Sequence, residues 1–178
     1  MANDASESVV KAHSLAQKAV KDPLTGLGNK LAMEQKANVL LQAGETFSIV
    51  VIGLDRFRDV NDSHGYATGD MALLEVASML QTSTQSGEIL YRISGDEFAV
   101  IRAGEADGAS ERSLAFIEAV KQPIMLGGIR LVLGASAGTA QSPADGGEYE
   151  LLLKRAGLAL REAKKGGRGH DCRIPLGT

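Results

Sequence analysis

Residues 46 to 54 (TFSIVVIGL) form an almost unbroken apolar and β-branched run. A half-buried strand would alternate in polarity, so this run predicts a strand covered on both faces and central in a sheet. Leu73, Val76, Ala77 and Leu80 recur at i, i+3, i+4 and i+7 and predict a helix that begins near Asp70. Asn29 reads as the N-cap of another helix, running through about Gln42 and stopped by Gly44. A short helix is expected from Arg56, with Asp55 as its cap. Ile89–Ile93 and Phe98–Ile101 flank a polar Ser94-Gly95-Asp96-Glu97 and read as a hairpin. A helix over residues 110–121 stops at Pro123. A second hairpin turns at Gly127-Gly128, with residues 129–140 as its long return strand. The last helix, about 148–165, puts Leu152, Ala156, Ala159 and Ala163 on one face and ends at Gly166-Gly167. Ahead of all this, residues 5–21 space Val9, Val10, Ala12, Ala16, Ala19 and Val20 among polar positions. That amphipathic helix ends at Asp22-Pro23, because the residue before a proline is pushed out of helical geometry. It reads as a linker or signalling helix outside the core. Helices and hairpins interleave, so the fold class is α+β with a mixed central sheet.

Composition narrows the class of function. At 178 residues, 44% apolar and 23% charged, the chain is one globular domain plus an appendage. A net charge of −3 supplies no chain-wide field for a nucleic acid, and no apolar run approaches a membrane span. A single cysteine, Cys172, rules out an internal disulfide framework and a multi-cysteine zinc site. A soluble, cytoplasmic domain is expected, with any membrane attachment lying outside this segment.

Candidate chemistry concentrates in two stretches. Two adjacent carboxylates at the Arg92–Phe98 hairpin are costly unless solvated, paired or bound to a cation. The polar segment Gly53–Asp70 follows the buried strand directly, where loops at a rigid sheet end commonly carry function. Three decoys fall away. Gly134-Ala-Ser136-Ala-Gly138 has the spacing of a nucleophile elbow but no helix directly after it. Asp59-Val-Asn-Asp-Ser-His-Gly65 has its glycine one position late for a calcium loop and lacks a closing Glu. His13, His64 and His170 show no metal-ligand spacing.

Several motifs stand in a recognisable order: Asp22-x-Leu-Thr-Gly-Leu-x-Asn29, Asp55-x-Phe-x-x-x-Asn61-Asp62, Gly65 and Gly69-Asp70. They continue with Ser94-Gly-Asp-Glu-Phe98, Ser136-x-Gly138 and Ala163-Lys164-x-x-Gly-Arg168. In order and spacing, over residues 22–174, the chain resembles the GGDEF family. These are diguanylate cyclases, which condense two GTP into cyclic di-GMP and release pyrophosphate. The resemblance implies a central sheet wrapped by helices, like the nucleotidyl cyclases and the polymerase palm. It also implies Mg²⁺ as cofactor and a homodimer, because each active site forms between two subunits. Residues 1–21 then form the linker helix and residues 175–178 a tail. By the same resemblance Asn61 and Asp70 hydrogen-bond guanine, and Arg58 stands at a phosphate-side cation. Ser94 and Gly95 line the substrate, and Lys164 and Arg168 grip the phosphates. Asp96 is a metal-binding acid, and Glu97 assists metal binding or activation of the attacking 3′-hydroxyl.

Departures from the pattern shape the expected function. Gly53 stands where the family places a metal-binding Asp at the strand end, which weakens the Mg²⁺ site. Losing one of two anionic ligands removes several kcal/mol, about a thousandfold in rate. Ser94 replaces the first glycine of the signature, at a cost of about a kcal/mol if φ must be positive. Gln85-Ser-Gly-Glu88 replaces the Arg-x-x-Asp inhibitory site, so no such site is expected. Ala156-Gly-Leu-Ala-Leu-Arg161 and Tyr66 also depart from the family's usual residues. The expected function is a catalytically impaired domain that binds GTP or a partner and regulates an attached sensor or EAL-type phosphodiesterase domain. An active cyclase and a structural dimerisation module without nucleotide are the alternatives.

Overall fold

The computed structural model describes residues 2–105 and 108–173, with side chains from Asp4 onward. A five-stranded sheet carries the strands in the order β2-β3-β1-β6-β7. β1 (Phe47–Asp55) runs antiparallel to both β3 (Glu97–Ala103) and β6 (Gly134–Ser142), and β2 (Glu88–Ser94) edges β3. β7 (Asp171–Cys172) pairs parallel with β6 and was not signalled by any apolar run.

Both faces of β1 are covered, as the apolar run requires. Val50, Ile52 and Leu54 join α3 (Phe57–His64), α4 (Tyr66–Ser83) and α5 (Ala109–Val120) in one core. Phe47, Ile49 and Val51 join α2 (Lys30–Gln42) and α6 (Tyr149–Lys165) in the other. α6 comes closest to the sheet at Gly138, where a Cβ would overlap the backbone of Ala156 and Leu160. The Asn29 cap is present: its side-chain oxygen accepts the Ala32 N–H, and its amide donates to Ala19 O at the end of α1 (Ala2–Ala19). Every described side chain of α1 is exposed, so none of it joins the core.

One expected element is divided. The return strand over residues 129–140 is not one strand. β5 (Ile129–Leu131) pairs with β4 (Ile124–Leu126) in a separate ribbon, and the chain then crosses to β6. Ile124, Leu126, Leu131 and Leu133 pack into the α4–α5 core, whereas β6 must lie beside β1. One straight strand cannot do both. Residues 174–178, which include the expected tail, lie outside the described residues. No described helix is long and apolar enough to cross a membrane.

Candidate functional site

The site is built where β1 runs out. Gly53 lies opposite Glu97 on β3 and Ser136 on β6. Directly opposed residues project to the same face, so Gly53, Glu97 and Ser136 look toward α6, and Asp55, two residues on, does too. Asp55 is therefore not the cap of α3. It is still in the ladder opposite Gly134, and its Oδ1 accepts the Ser136 hydroxyl at 2.9 Å. Arg56, at a left-handed φ of 55°, makes the turn into α3 with no side-chain cap.

α3 and α4 meet at Gly65, whose φ of 86° reverses the chain without a loop. α4 consequently begins at Tyr66, and Asp70 sits within the helix rather than at its start. Tyr66 and Asp70 are exposed, so the first turn adds no apolar periodicity that could have announced it. Gly69 lies beneath Asn61; a Cβ there would overlap the Asn61 Oδ1. Together these turns bring Asn61, Asp70 and Asp96 to one cleft of about 260 Å³, walled by Phe57 and Leu73, with Arg58 at its edge. Among the described residues no hydrogen bond or ion pair engages the Asn61 amide or the Asp70 and Asp96 carboxylates. An amide beside two carboxylates offers both donors and acceptors to a ligand's polar edge. Arg58 is 92% exposed and stands 4.0 Å from Asp62.

Asp96, in the turn, and Glu97, the first residue of β3, line different clefts. Glu97 lines a different cleft, about 580 Å³, with Lys154, Arg161 and Lys164 of α6. Its Oε2 accepts the Ser94 hydroxyl at 3.2 Å. Ser94 and Gly95 both avoid positive φ, so serine in place of glycine at 94 carries no backbone strain. Lys164 and Arg168 line different clefts. Arg168, at φ 64°, lines a third hollow with Asp55 and Arg56, and Lys164 Nζ lies 3.9 Å from Asp55 Oδ1.

Sequence reasoning missed the strut that holds the hairpin. Arg92 Nη1 donates to Asp22 Oδ1 and Oδ2 at 2.9 and 3.1 Å, and Arg92 Nη2 donates to Gly95 O at 2.9 Å. Asp22 also accepts the Thr25 N–H and hydroxyl at 2.8 and 2.6 Å. Burial opposes the Asp22 charge, yet these bonds from Thr25 and Arg92 hold its pKa below the ordinary value. Only the turn chemistry of Asp22-x-x-Thr25 hinted at this; a partner 70 residues away leaves no local pattern.

A model of the family described as "Diguanylate cyclase, GGDEF domain" matches residues 19–170. The chain belongs to the GGDEF family. The cyclic di-GMP phosphodiesterase NbdA of Pseudomonas aeruginosa is 36% identical over 88% of this chain and 21% of its own length. The probable diguanylate cyclase DgcE of Escherichia coli is 34% identical over 93% of this chain and 16% of its own. This GGDEF domain thus spans about a fifth of the length of those curated relatives. The crystal structure of the TpbB GGDEF domain from Pseudomonas aeruginosa superposes with a TM-score of 0.81 at 28% identity, covering 86% of this chain and 99% of that one. The domain is the GGDEF piece of cyclic di-GMP signalling, with the expected α+β sheet.

GGDEF cyclases use Mg²⁺, and the donors of this GGDEF domain do not fit it at the end of β1. Gly53 offers no side chain. The Leu54 carbonyl accepts Lys164 Nζ at 3.0 Å, and Asp55 is held by Ser136. Asp96 opens on the other cleft, so Glu97 is the acid that shares the α6 cleft with Lys164. No cluster of three or more His, Cys, Asp or Glu residues suited to a metal exists among the described residues. At the position of the inhibitory motif, Glu88 is consumed by structure. Its carboxylate takes Arg112 Nε and Nη2 at 2.9 and 2.8 Å, with Arg102 at 3.8 Å, and its side chain is only 2% exposed. Gln85 gives its backbone N–H to the same carboxylate.

Proposed function

We propose that this GGDEF domain binds a guanine nucleotide and serves as a regulatory module of cyclic di-GMP signalling, with its own cyclase turnover reduced or lost. The observation that carries the reading is the cleft of Asn61, Asp70 and Asp96, three half-buried or exposed side chains that make no hydrogen bond or ion pair among the described residues. Polar groups gathered in a concave site and left unused by the fold are kept for a ligand. An amide and a carboxylate suit the donor-rich Watson–Crick edge of guanine. From that cleft the phosphates run past Ser94 and Gly95 at the hairpin tip toward Lys164, with Asp96 and Glu97 on either side. Reduced turnover follows from the poor donor set for Mg²⁺, since phosphoryl transfer depends on cations at the attacking and leaving oxygens. The relatives' extra length, including a phosphodiesterase among them, supports an attached domain as the regulated party.

Calorimetric titration of the domain with non-hydrolysable GTP and ATP analogues tests the reading, together with chromatography of products after incubation with GTP and Mg²⁺. The GTP analogue is expected to bind about tenfold or more tightly than the ATP analogue, a difference of about 1.4 kcal/mol. Cyclic di-GMP is expected to form about a thousandfold more slowly than with the TpbB domain. Absence of nucleotide binding leaves a dimerisation module instead, and rapid synthesis leaves a working cyclase.

A further inference from the structure

The Lys164 side chain reaches from the last turn of α6 across the end of the sheet. Its Nζ donates to the Leu54 carbonyl at 3.0 Å and lies 3.9 Å from Asp55 Oδ1. That carboxylate is 10% exposed and fixed by Ser136, and the lysine side chain is only 29% exposed. Its place depends on the glycine beside it. A Cβ on Gly53 would stand 3.0 Å from Lys164 Cε and 3.1 Å from Nζ, so a side chain there and the ammonium compete for one volume. The missing side chain and the settled lysine are one feature.

We infer that the Lys164 ammonium takes the place of a divalent cation at the end of β1, so that this domain holds a triphosphate without Mg²⁺. The inference rests on the nucleotide reading above and adds the ionic form of the ligand. Mg²⁺ demands about six oxygen donors in near-octahedral array. Here the strand-end carbonyl is taken by an ammonium, and the nearest carboxylate is engaged by a hydroxyl and faces the same ammonium. A divalent ion would have to displace a fixed positive charge to enter. The ammonium has three N–H donors, of which Leu54 uses one. The others serve phosphate oxygens arriving through the cleft it shares with Lys154 and Arg161. Those two cations oppose the single acid, Glu97, and supply the remaining neutralisation of a polyanion.

The test is titration of the whole chain with a non-hydrolysable GTP analogue, in Mg²⁺ and again in excess EDTA. Lys164→Met and Gly53→Asp are run beside it, with circular dichroism to confirm that each folds. The wild type is expected to keep its affinity within about threefold when Mg²⁺ is chelated. Lys164→Met is expected to lose about tenfold or more in EDTA. Gly53→Asp crowds only the flexible end of the lysine and a leucine methyl, so it folds, and its binding becomes dependent on Mg²⁺ by about tenfold. Normal binding in Mg²⁺ that falls tenfold in EDTA for the wild type overturns the inference and leaves the nucleotide reading standing. No binding in either buffer overturns both.

Discussion

Gly69→Ala separates folding from recognition within one methyl group. Gly69 is buried in α4, and a Cβ there would overlap Asn61 Oδ1 and lie 3.0 Å from its Cγ, while Phe57 Cζ at 3.5 Å is ordinary contact. Backbone and apolar neighbours leave room, so the only casualty is the Asn61 amide, which must swing out of the cleft. No side-chain hydrogen bond among the described residues is lost in that movement. Alanine inside a helix is favoured over glycine by about 0.5–1 kcal/mol, which offsets the forced rotamer. The melting temperature should stay within about 4 °C of the wild type. Binding should suffer. One or two amide hydrogen bonds to the base are worth about 1–3 kcal/mol, so the affinity for a GTP analogue falls about 5- to 150-fold. Calorimetry reads that loss, and a cycle with Asn61→Ala assigns it. In the Asn61→Ala background the second substitution should change binding by less than about 0.5 kcal/mol. Full affinity in a well-folded Gly69→Ala protein would refute the placement of Asn61 at the ligand, and additive losses would refute the mechanism.

Asp22→Asn should cost about 2–4 kcal/mol in urea denaturation, because it leaves the Arg92 guanidinium, 14% exposed, without its counter-charge. The pKa of Asp22 is lowered in the folded protein from 3.8, so its contribution is present above that value and lost as pH falls through the folded pKa. The gap between wild type and variant should close in acid, and a gap that is constant with pH counts against the ion pair. Gly138→Ala should cost about 1–3 kcal/mol or more of stability and lower the urea midpoint accordingly, since the added methyl meets the α6 backbone rather than a flexible side chain. An unchanged midpoint there would mean that α6 does not pack as closely as described.

The parts of this fold legible in the sequence are those with a local cause. The double-faced burial of β1 is written in TFSIVVIGL, and the α2 cap in Asn29, because burial on two faces and a capped N-terminus each impose a residue type directly. The early start of α4 was hidden because its first residues face water, and the split of β5 from β6 was hidden because Val132-Leu133 remain apolar across the crossing. Asp55 illustrates the harder case. A carboxylate before a helix reads as a cap, yet its position in a ladder opposite Gly134 points it to α6 and Ser136 instead. That choice is made by a strand 80 residues downstream. Much of Asp22-x-Leu-Thr-Gly-Leu-x-Asn29 likewise proves structural: a turn around Thr25, a bend at Gly26, a glycine under the Tyr91 ring and a cap.

Gly95 points the other way. A Cβ at that position would meet nothing within 4 Å, and its φ lies outside the region that favours glycine. The fold therefore has no need of glycine there, in contrast to Gly69, Gly138 and Gly65, where a side chain would collide or the backbone requires positive φ. Asp96 in the turn lines one cleft and Glu97 at the start of β3 lines the other, so a ligand that engages both must cross the hairpin at its tip. Gly95 is the residue it would cross. Its carbonyl is held by Arg92, its surface is open, and a bare backbone permits close approach of a second body. A glycine that folding does not explain, directly ahead of two acids that open on different clefts, is what the proposed nucleotide lying across the turn would require.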